Sequence, residues 1–203
     1  MNLSLNEVEN LVRKAARGAG LDPGRADDLA AASAVLASHG LPVCAIIYRA
    51  LTGDPGQPLT ISADGAQAIC PATSAARAGS SALDLLLAKP PGFEVTLDTV
   101  DEPLLIAALA VVAARRYASG FAVTAQRATL TIERDRRTDF AALENARSIP
   151  IVLGRLDATA ARPSRAMTPA SRYDPEQVSD DGVAGLVRLA RMTYVPASDA
   201  SRL

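Results

Sequence analysis

The chain has 203 residues and a formal net charge of −1, with 49% hydrophobic residues and only 3% aromatic residues. A nearly neutral chain lacks the basic stripe that releases phosphate counterions, which argues against a dedicated nucleic-acid binder or an electrostatic membrane binder. Length and hydrophobic content instead predict one full-sized domain, alone or with a small appendage.

The sequence shows no targeting or membrane-spanning pattern. Its first ten residues lack the basic and apolar regions of a signal peptide, and the longest apolar run, Leu104 to Ala114, is about half as long as a membrane span. Two cysteines are too few for a disulfide framework, and one histidine without a Cys-x-x-Cys pair is too little for a zinc site. We expect a cytoplasmic, bacterial-type protein with no metal, no cofactor, and no membrane or nucleic-acid partner.

Alanine makes up about a fifth of the chain, well above ordinary usage. Small side chains let helices approach closely, but each of them buries little apolar area. Such a core needs many contacts or a partner to reach ordinary stability. We therefore expect a homo-oligomer or a complex with a protein partner.

Three helices are predicted in the first fifty residues. Ser4 and Glu7 form a capping-box pattern ahead of apolar residues at helical spacing. Asp22 and the proline after it are typical of the start of a second helix. The segment Val43 to Leu51 favours a third helix, although the β-branched pair inside it leaves a strand open.

The rest of the chain mixes strands and helices. A hairpin is predicted over Leu59–Ile61 and Ala66–Cys70, followed by a short helix at Ser80–Ala88 and a strand at Phe93–Thr99. Asp101 is expected to cap a helix that is apolar on nearly every side, which is typical of the middle of a core. Further strand-like runs are Phe121–Ala125 and Ala128–Glu133, as two strands or one long strand, and Ser148–Leu153.

These elements predict an α+β fold, with Ala-rich helices packed on a small mixed or antiparallel sheet. Strands and helices do not alternate as in βαβ units, which argues against a doubly wound nucleotide-binding fold. We expect a core domain over residues 1–156. A linker or mobile loop poor in large apolar residues follows at 157–173, and a C-terminal helix and tail at 174–203.

His39 and Cys70 are the candidate catalytic residues. Imidazole can change its charge near neutral pH, so His39 could act as a general base, or it could bind the last carbonyls of the second helix. Cys70 follows a predicted strand, so its thiol could be reactive or buried as a small apolar group.

Arginines are the candidate ligand-binding residues, because a planar guanidinium can hold a carboxylate or phosphate through two hydrogen bonds. The candidates comprise a pair at a predicted helix C-terminus, a cluster in a charged turn and one tyrosine near the end of the chain: Arg115, Arg116, Arg134, Arg136, Arg137 and Tyr194. A solvated helix end, a solvated turn and interface packing are the respective alternatives.

Both ends of the chain resemble an uncharacterised bacterial domain-of-unknown-function family. The resembling segments are Leu5 to Leu21, the Ala-rich second helix with the His39-Gly40-Leu41-Pro42 sequence that ends it, and Arg191 to Leu203 with its Thr-Tyr-Val-Pro and Ser-Arg sequences. The resemblance implies no established activity and assigns no catalytic residue. It also implies a short Gly/Ala-rich tail beyond Leu203.

Without a catalytic motif, the sequence favours an oligomeric accessory or binding protein of small-molecule metabolism, with a protein partner or a small anionic metabolite. The alternative is a cofactor-independent lyase, isomerase or hydrolase acting on a small carboxylate, which requires His39 or Cys70 to share a cleft with an arginine. A third possibility is a small subunit that completes another enzyme's active site. The sequence therefore leaves open whether the protein is an enzyme.

Overall fold

The computed structural model describes residues 3–62, 65–126, 128–134, 136–156 and 180–193. Over these ranges it contains six α-helices, one short 3-10 helix at Ala141–Leu143 and one six-stranded sheet, so the predicted α+β fold is confirmed. The helices are α1 (Leu5–Gly18), α2 (Pro23–Ser38), α3 (Val43–Thr52), α4 (Ala75–Ala88), α5 (Pro103–Tyr117) and α6 (Asp180–Arg191). The strands are β1 (Thr60–Ile61), β2 (Gln67–Cys70), β3 (Glu94–Val100), β4 (Gly120–Ala125), β5 (Ala128–Ile132) and β6 (Ile149–Leu156).

The sheet is mixed and has the strand order β1-β2-β3-β6-β4-β5. Strands β2 and β3 are parallel, and every other neighbouring pair is antiparallel. The predicted hairpin of β1 and β2 is present, and β4 and β5 form a second hairpin rather than one long strand. Strand β6 lies between β3 and β4, so it joins the two halves of the sheet.

The helices are stacked in layers on the sheet. Helix α4 contacts β3 and β6, and α5 contacts β4 and β5. Helix α2 packs on α4 and α5, and α1 packs on α2. Helix α5 is buried from Pro103 to Val111, as expected for a helix that is apolar on nearly every side.

The predicted starts of α1 and α2 are confirmed. The Ser4 hydroxyl accepts a hydrogen bond from the Glu7 amide at 3.3 Å, while the Ser4 amide donates to the Glu7 carboxylate at 2.7 Å. The Asp22 carboxylate accepts from the Arg25 amide at 3.0 Å at the start of α2. The third segment is helical, so the strand alternative for it is wrong.

Two predicted helix starts are wrong. Helix α4 begins at Ala75 rather than Ser80, because the Ser74 hydroxyl accepts from the Ala76 amide at 3.2 Å and caps an earlier first turn. Asp101 does not cap α5. Its Oδ1 accepts from the Ala75 amide at 2.8 Å, so it caps α4, a helix that precedes it in the chain.

The predicted linker at 157–173 lies outside the described residues, and so do residues 174–179 of the predicted C-terminal helix. The described part of that helix is α6, which packs on α1 and α3. The division into a core domain, a linker and a C-terminal segment stays a prediction. In the ranges that the structure describes, every helix is too short or too polar to cross a bilayer.

Candidate functional site

The first cleft with polar lining lies between the C-terminal end of α2 and residues 137–144, and we call it the His39 cleft. It has a volume of about 500 Å³. Its lining consists of His39, Gly40, Leu41, Arg137, Thr138, Asp139, Phe140, Ala141 and Glu144. The fold therefore places the predicted residues His39 and Arg137 in one cleft, although they are far apart in sequence.

His39 is oriented through one ring nitrogen. Its Nδ1 lies 2.8 Å from the backbone oxygen of Val35, and a carbonyl can only accept, so Nδ1 carries a proton. In the neutral ring the lone pair is then on Nε2. That atom is buried without a hydrogen-bond partner, and the ring meets Phe140 edge-on with centroids 4.8 Å apart. For Nε2 to act as a base, the residues around it must first move and uncover it.

The charges of the His39 cleft do not favour an anion. Arg137 supplies one positive charge, whereas Asp139 and Glu144 supply two negative charges. Asp139 also accepts a hydrogen bond from the Ala141 amide at 3.0 Å, which ties it to the short 3-10 helix. One guanidinium opposed by two carboxylates makes a weak anion site.

The second cleft lies between the start of α2, the first turns of α4 and residues 55–59, and we call it the Arg25–Arg77 cleft. It has a volume of about 350 Å³. Its lining consists of Arg25, Pro55, Gly56, Gln57, Pro58, Leu59, Thr73, Arg77, Ala78 and Ser81. This lining contains two guanidinium groups and no carboxylate.

Of the two arginines, Arg77 has the positive charge with fewer partners to balance it. Its Nη2 donates to the backbone oxygen of Ala19 at 3.2 Å, and its Nε is buried without a partner. Among the described residues, no carboxylate forms an ion pair with Arg77. Arg25 donates to the Ser81 hydroxyl at 2.9 Å and pairs with Asp22 at 3.3 Å, so its charge is partly balanced from outside the lining.

The comparison with known families covers the first part of the chain. Residues 3–83 match the DUF3726 family model. That family is described as a protein of unknown function, which confirms the predicted resemblance over the N-terminal helices. The C-terminal Thr-Tyr-Val-Pro segment lies beyond the DUF3726 match, so its resemblance stays a prediction. No curated protein matches the chain.

The two clefts differ in their relation to the DUF3726 match. Every residue that lines the Arg25–Arg77 cleft lies within residues 3–83. The His39 cleft takes one wall from residues 137–144, which lie outside the matched range. The DUF3726 segment alone therefore supplies a complete lining for the Arg25–Arg77 cleft.

Cys70 lies behind the Arg25–Arg77 cleft and lines neither cleft. Its buried thiol donates to the backbone oxygen of Gln57 at 2.9 Å. Burial raises the pKa of the Cys70 thiol, and this effect outweighs the opposing hydrogen bond from Thr73. At neutral pH the group is a protonated donor that supports a wall of the cleft.

The other predicted binding residues are dispersed over the surface. Arg115 and Arg116 are exposed at the end of α5, where Arg116 pairs with Asp28 at 2.6 Å. Arg134 and Arg136 are exposed and line neither cleft. Tyr194 lies outside the described residues. Within those residues, no three His, Cys or acidic side chains come together as a metal ion would require.

Sequence reasoning missed Arg25 and Arg77 because it ranked arginines by local density. The two residues lie on different helices and become neighbours only in the fold. One signal was available for Arg77, which stands alone among alanines and a glycine at residues 75–79. A single long cation in a helix of small residues has little around it to cover its charge.

A buried acidic residue was missed as well. Glu102 is 1% exposed; its Oε1 accepts a hydrogen bond from Arg49 Nε at 2.5 Å and forms an ion pair with Arg147 Nε at 3.4 Å. Burial raises the pKa of Glu102, and the two arginines partly offset this effect. Glu102 lines neither cleft and ties α3 and α5 to the segment before β6.

Proposed function

We propose that this protein binds a small anionic metabolite in the Arg25–Arg77 cleft. The proposal depends on one observation: two guanidinium groups line a cleft whose lining contains no carboxylate. A half-buried charge without a counterion is unfavourable, and a carboxylate or phosphate would supply both the counterion and hydrogen-bond acceptors.

The lining supports binding rather than catalysis. It contains no His, Cys, Asp or Glu, so the Thr73 and Ser81 hydroxyls have no general base in the lining that could activate them as nucleophiles. We therefore propose an accessory protein of small-molecule metabolism. Because alanine side chains bury little apolar area each, we also propose that it works as a homo-oligomer, in the cytoplasm. Light scattering of the purified chain tests the oligomeric part of this proposal, and a monomeric mass would contradict it.

The binding experiment is a thermal-shift screen with inorganic phosphate, acetate and hexanoate as the probes. A ligand at 100 times its Kd stabilises the native state by about 2.7 kcal/mol, which for a chain of this length raises Tm by about 5–10 °C. We expect Arg77→Gln to abolish the shift. Arg115→Gln is the matched control, because Arg115 is exposed at the end of α5 and lines neither cleft. The proposal fails if no anion shifts the wild-type Tm, or if Arg77→Gln responds like wild type.

A cofactor-independent enzyme is the second candidate, and the shared position of His39 and Arg137 favours it. Arg137 would hold a carboxylate while Nε2 of His39 accepts a proton, once the residues around that atom move. The protein is incubated with a panel of small carboxylates, and mass spectrometry measures whether any of them is consumed. Turnover by wild type that is lost in His39→Gln would support the enzyme, and no turnover of any compound by wild type would exclude it for that panel.

A further inference from the structure

The lining of the Arg25–Arg77 cleft is polar on one side and apolar on another. Helices α2 and α4 supply the two guanidinium groups and the Ser81 hydroxyl. Residues 55–59 supply three apolar side chains, Pro55, Pro58 and Leu59, with Gln57 as the one polar side chain among them. A ligand that fills the cleft therefore meets cations at one end and apolar surface at the other.

The apolar wall is fixed before any ligand binds. The backbone amide of Gln57 donates to the backbone oxygen of Ala72 at 2.9 Å, and the backbone oxygen of Gln57 accepts from the Cys70 thiol. Gly56 has φ +73°, and a Cβ there would lie 2.2 Å from the Ala72 oxygen, so only glycine allows this close approach. Because the wall is already ordered, little conformational entropy is lost when a ligand packs against it.

The usual backbone partners of a phosphate are occupied. Phosphates in proteins commonly bind the free amides at a helix N-terminus. At the N-terminus of α4, the Ala75 amide donates to Asp101 and the Ala76 amide donates to the Ser74 hydroxyl. The cleft therefore offers an anion its arginine side chains and not a cradle of backbone amides.

We infer that the cleft selects a carboxylate with a compact apolar body over a phosphate or a hydrophilic polyanion. This inference rests on the proposed function and names the ligand class of the same site. A planar guanidinium holds a carboxylate or a phosphate, so the preference comes from the occupied backbone amides and from the proline and leucine side chains, which match an aliphatic or aromatic body. At roughly 30 Å³ for each water-sized group, a cleft of about 350 Å³ accommodates about a dozen non-hydrogen atoms.

The test is calorimetric titration of the full chain with acetate, butyrate, hexanoate and inorganic phosphate. We expect affinity to rise along the carboxylate series, by up to about fourfold for each methylene group that becomes fully buried. Phosphate should bind more weakly than hexanoate. Leu59→Ser should reduce the gain in affinity per methylene group along the series. Ile61→Ser is the matched control, since Ile61 is an exposed apolar residue outside the lining and its loss should leave the series intact.

Two results would overturn the inference and leave the proposed function standing: equal affinity for all carboxylates, or tighter binding of phosphate than of hexanoate. Both would still show binding that Arg77→Gln removes. Absence of binding by every anion would instead contradict the proposed function as well. If circular dichroism shows that Leu59→Ser does not fold, Pro58→Ser replaces it, and a series that stays steep in that variant counts against the inference.

Discussion

The substitution Gly182→Ala tests whether α6 stays in place because its backbone packs closely against the backbone of α3. A Cβ at this position would lie 2.6 Å from the Ala45 nitrogen and 2.7 Å from the Cys44 carbonyl carbon. Both are backbone atoms of α3 that cannot rotate away, so Gly182→Ala has to displace α6. The buried side chains Val183 and Leu186 of α6 would then lose part of their packing.

The expected change in the free energy of unfolding is the sum of two opposing effects. Alanine is more favourable than glycine inside a helix by up to about 1 kcal/mol. Complete exposure of one valine and one leucine would remove about 3–6 kcal/mol, and a partial displacement of α6 removes a fraction of that. We therefore expect Gly182→Ala to lower the free energy of unfolding by about 1–3 kcal/mol, against the direction of helix propensity.

The assay is urea denaturation followed by circular dichroism, together with hydrogen exchange of the α6 amides. Ala184→Gly is the control, because Ala184 is exposed on the same helix and its replacement should cost only about 1 kcal/mol of propensity. Hydrogen exchange should accelerate along α6 in Gly182→Ala. A variant as stable as wild type, or more stable, would refute the argument from backbone contact.

Three further predictions concern buried groups. Burial raises the pKa values of Asp101 and Glu102, so the native state holds these protons more tightly than the unfolded chain does. Their stabilising contribution is full below the unfolded pKa values near 4 and is lost as pH rises through the folded values. The free energy of unfolding measured by urea titration should therefore fall over that window, and less so in Asp101→Asn; a profile unchanged by the substitution would contradict this. Glu102→Gln, a neutral side chain of the same shape, should likewise reduce this fall and should not lower the free energy of unfolding at neutral pH, because Arg49 and Arg147 are 45% and 39% exposed and can be hydrated without the carboxylate. A loss of about 3–5 kcal/mol, as when a fully buried pair is broken, would contradict this. Both cysteines are buried, and burial raises the pKa of Cys44 to about 11, so a thiol reagent should label neither cysteine until urea unfolds the chain. Fast labelling in native buffer would contradict this burial.

The sequence predicts those parts of the fold that depend on neighbouring residues. The caps at Ser4 and Asp22 and the run of apolar residues in α5 depend on residues within a few turns, and the structure confirms them. Contacts between distant segments could not be predicted. Asp101 caps α4 through space, and the parallel pairing of β2 with β3 has no local pattern.

The same distinction applies to the candidate site. Chemistry alone singled out His39, the one histidine, and the charge cluster that contains Arg137, but only the fold shows that the two share a cleft. Arg25 and Arg77 gave a weaker signal, because each is an ordinary helical arginine when read alone. Their significance comes from the lining that they share, which contains no carboxylate and is formed only by three-dimensional packing.

The position of β6 determines the order in which the sheet can be assembled during synthesis. The hairpin of β4 and β5 reaches β1, β2 and β3 only through β6, which is the last of the six strands to be translated. Until residues 149–156 leave the ribosome, the nascent chain holds two separate sheet fragments, and α5 has already been made without a complete sheet to cover it. A chain cut short before residue 149 would leave unpaired the edges of β3 and β4 that β6 joins, so we expect such a fragment to be bound by chaperones or degraded by proteases.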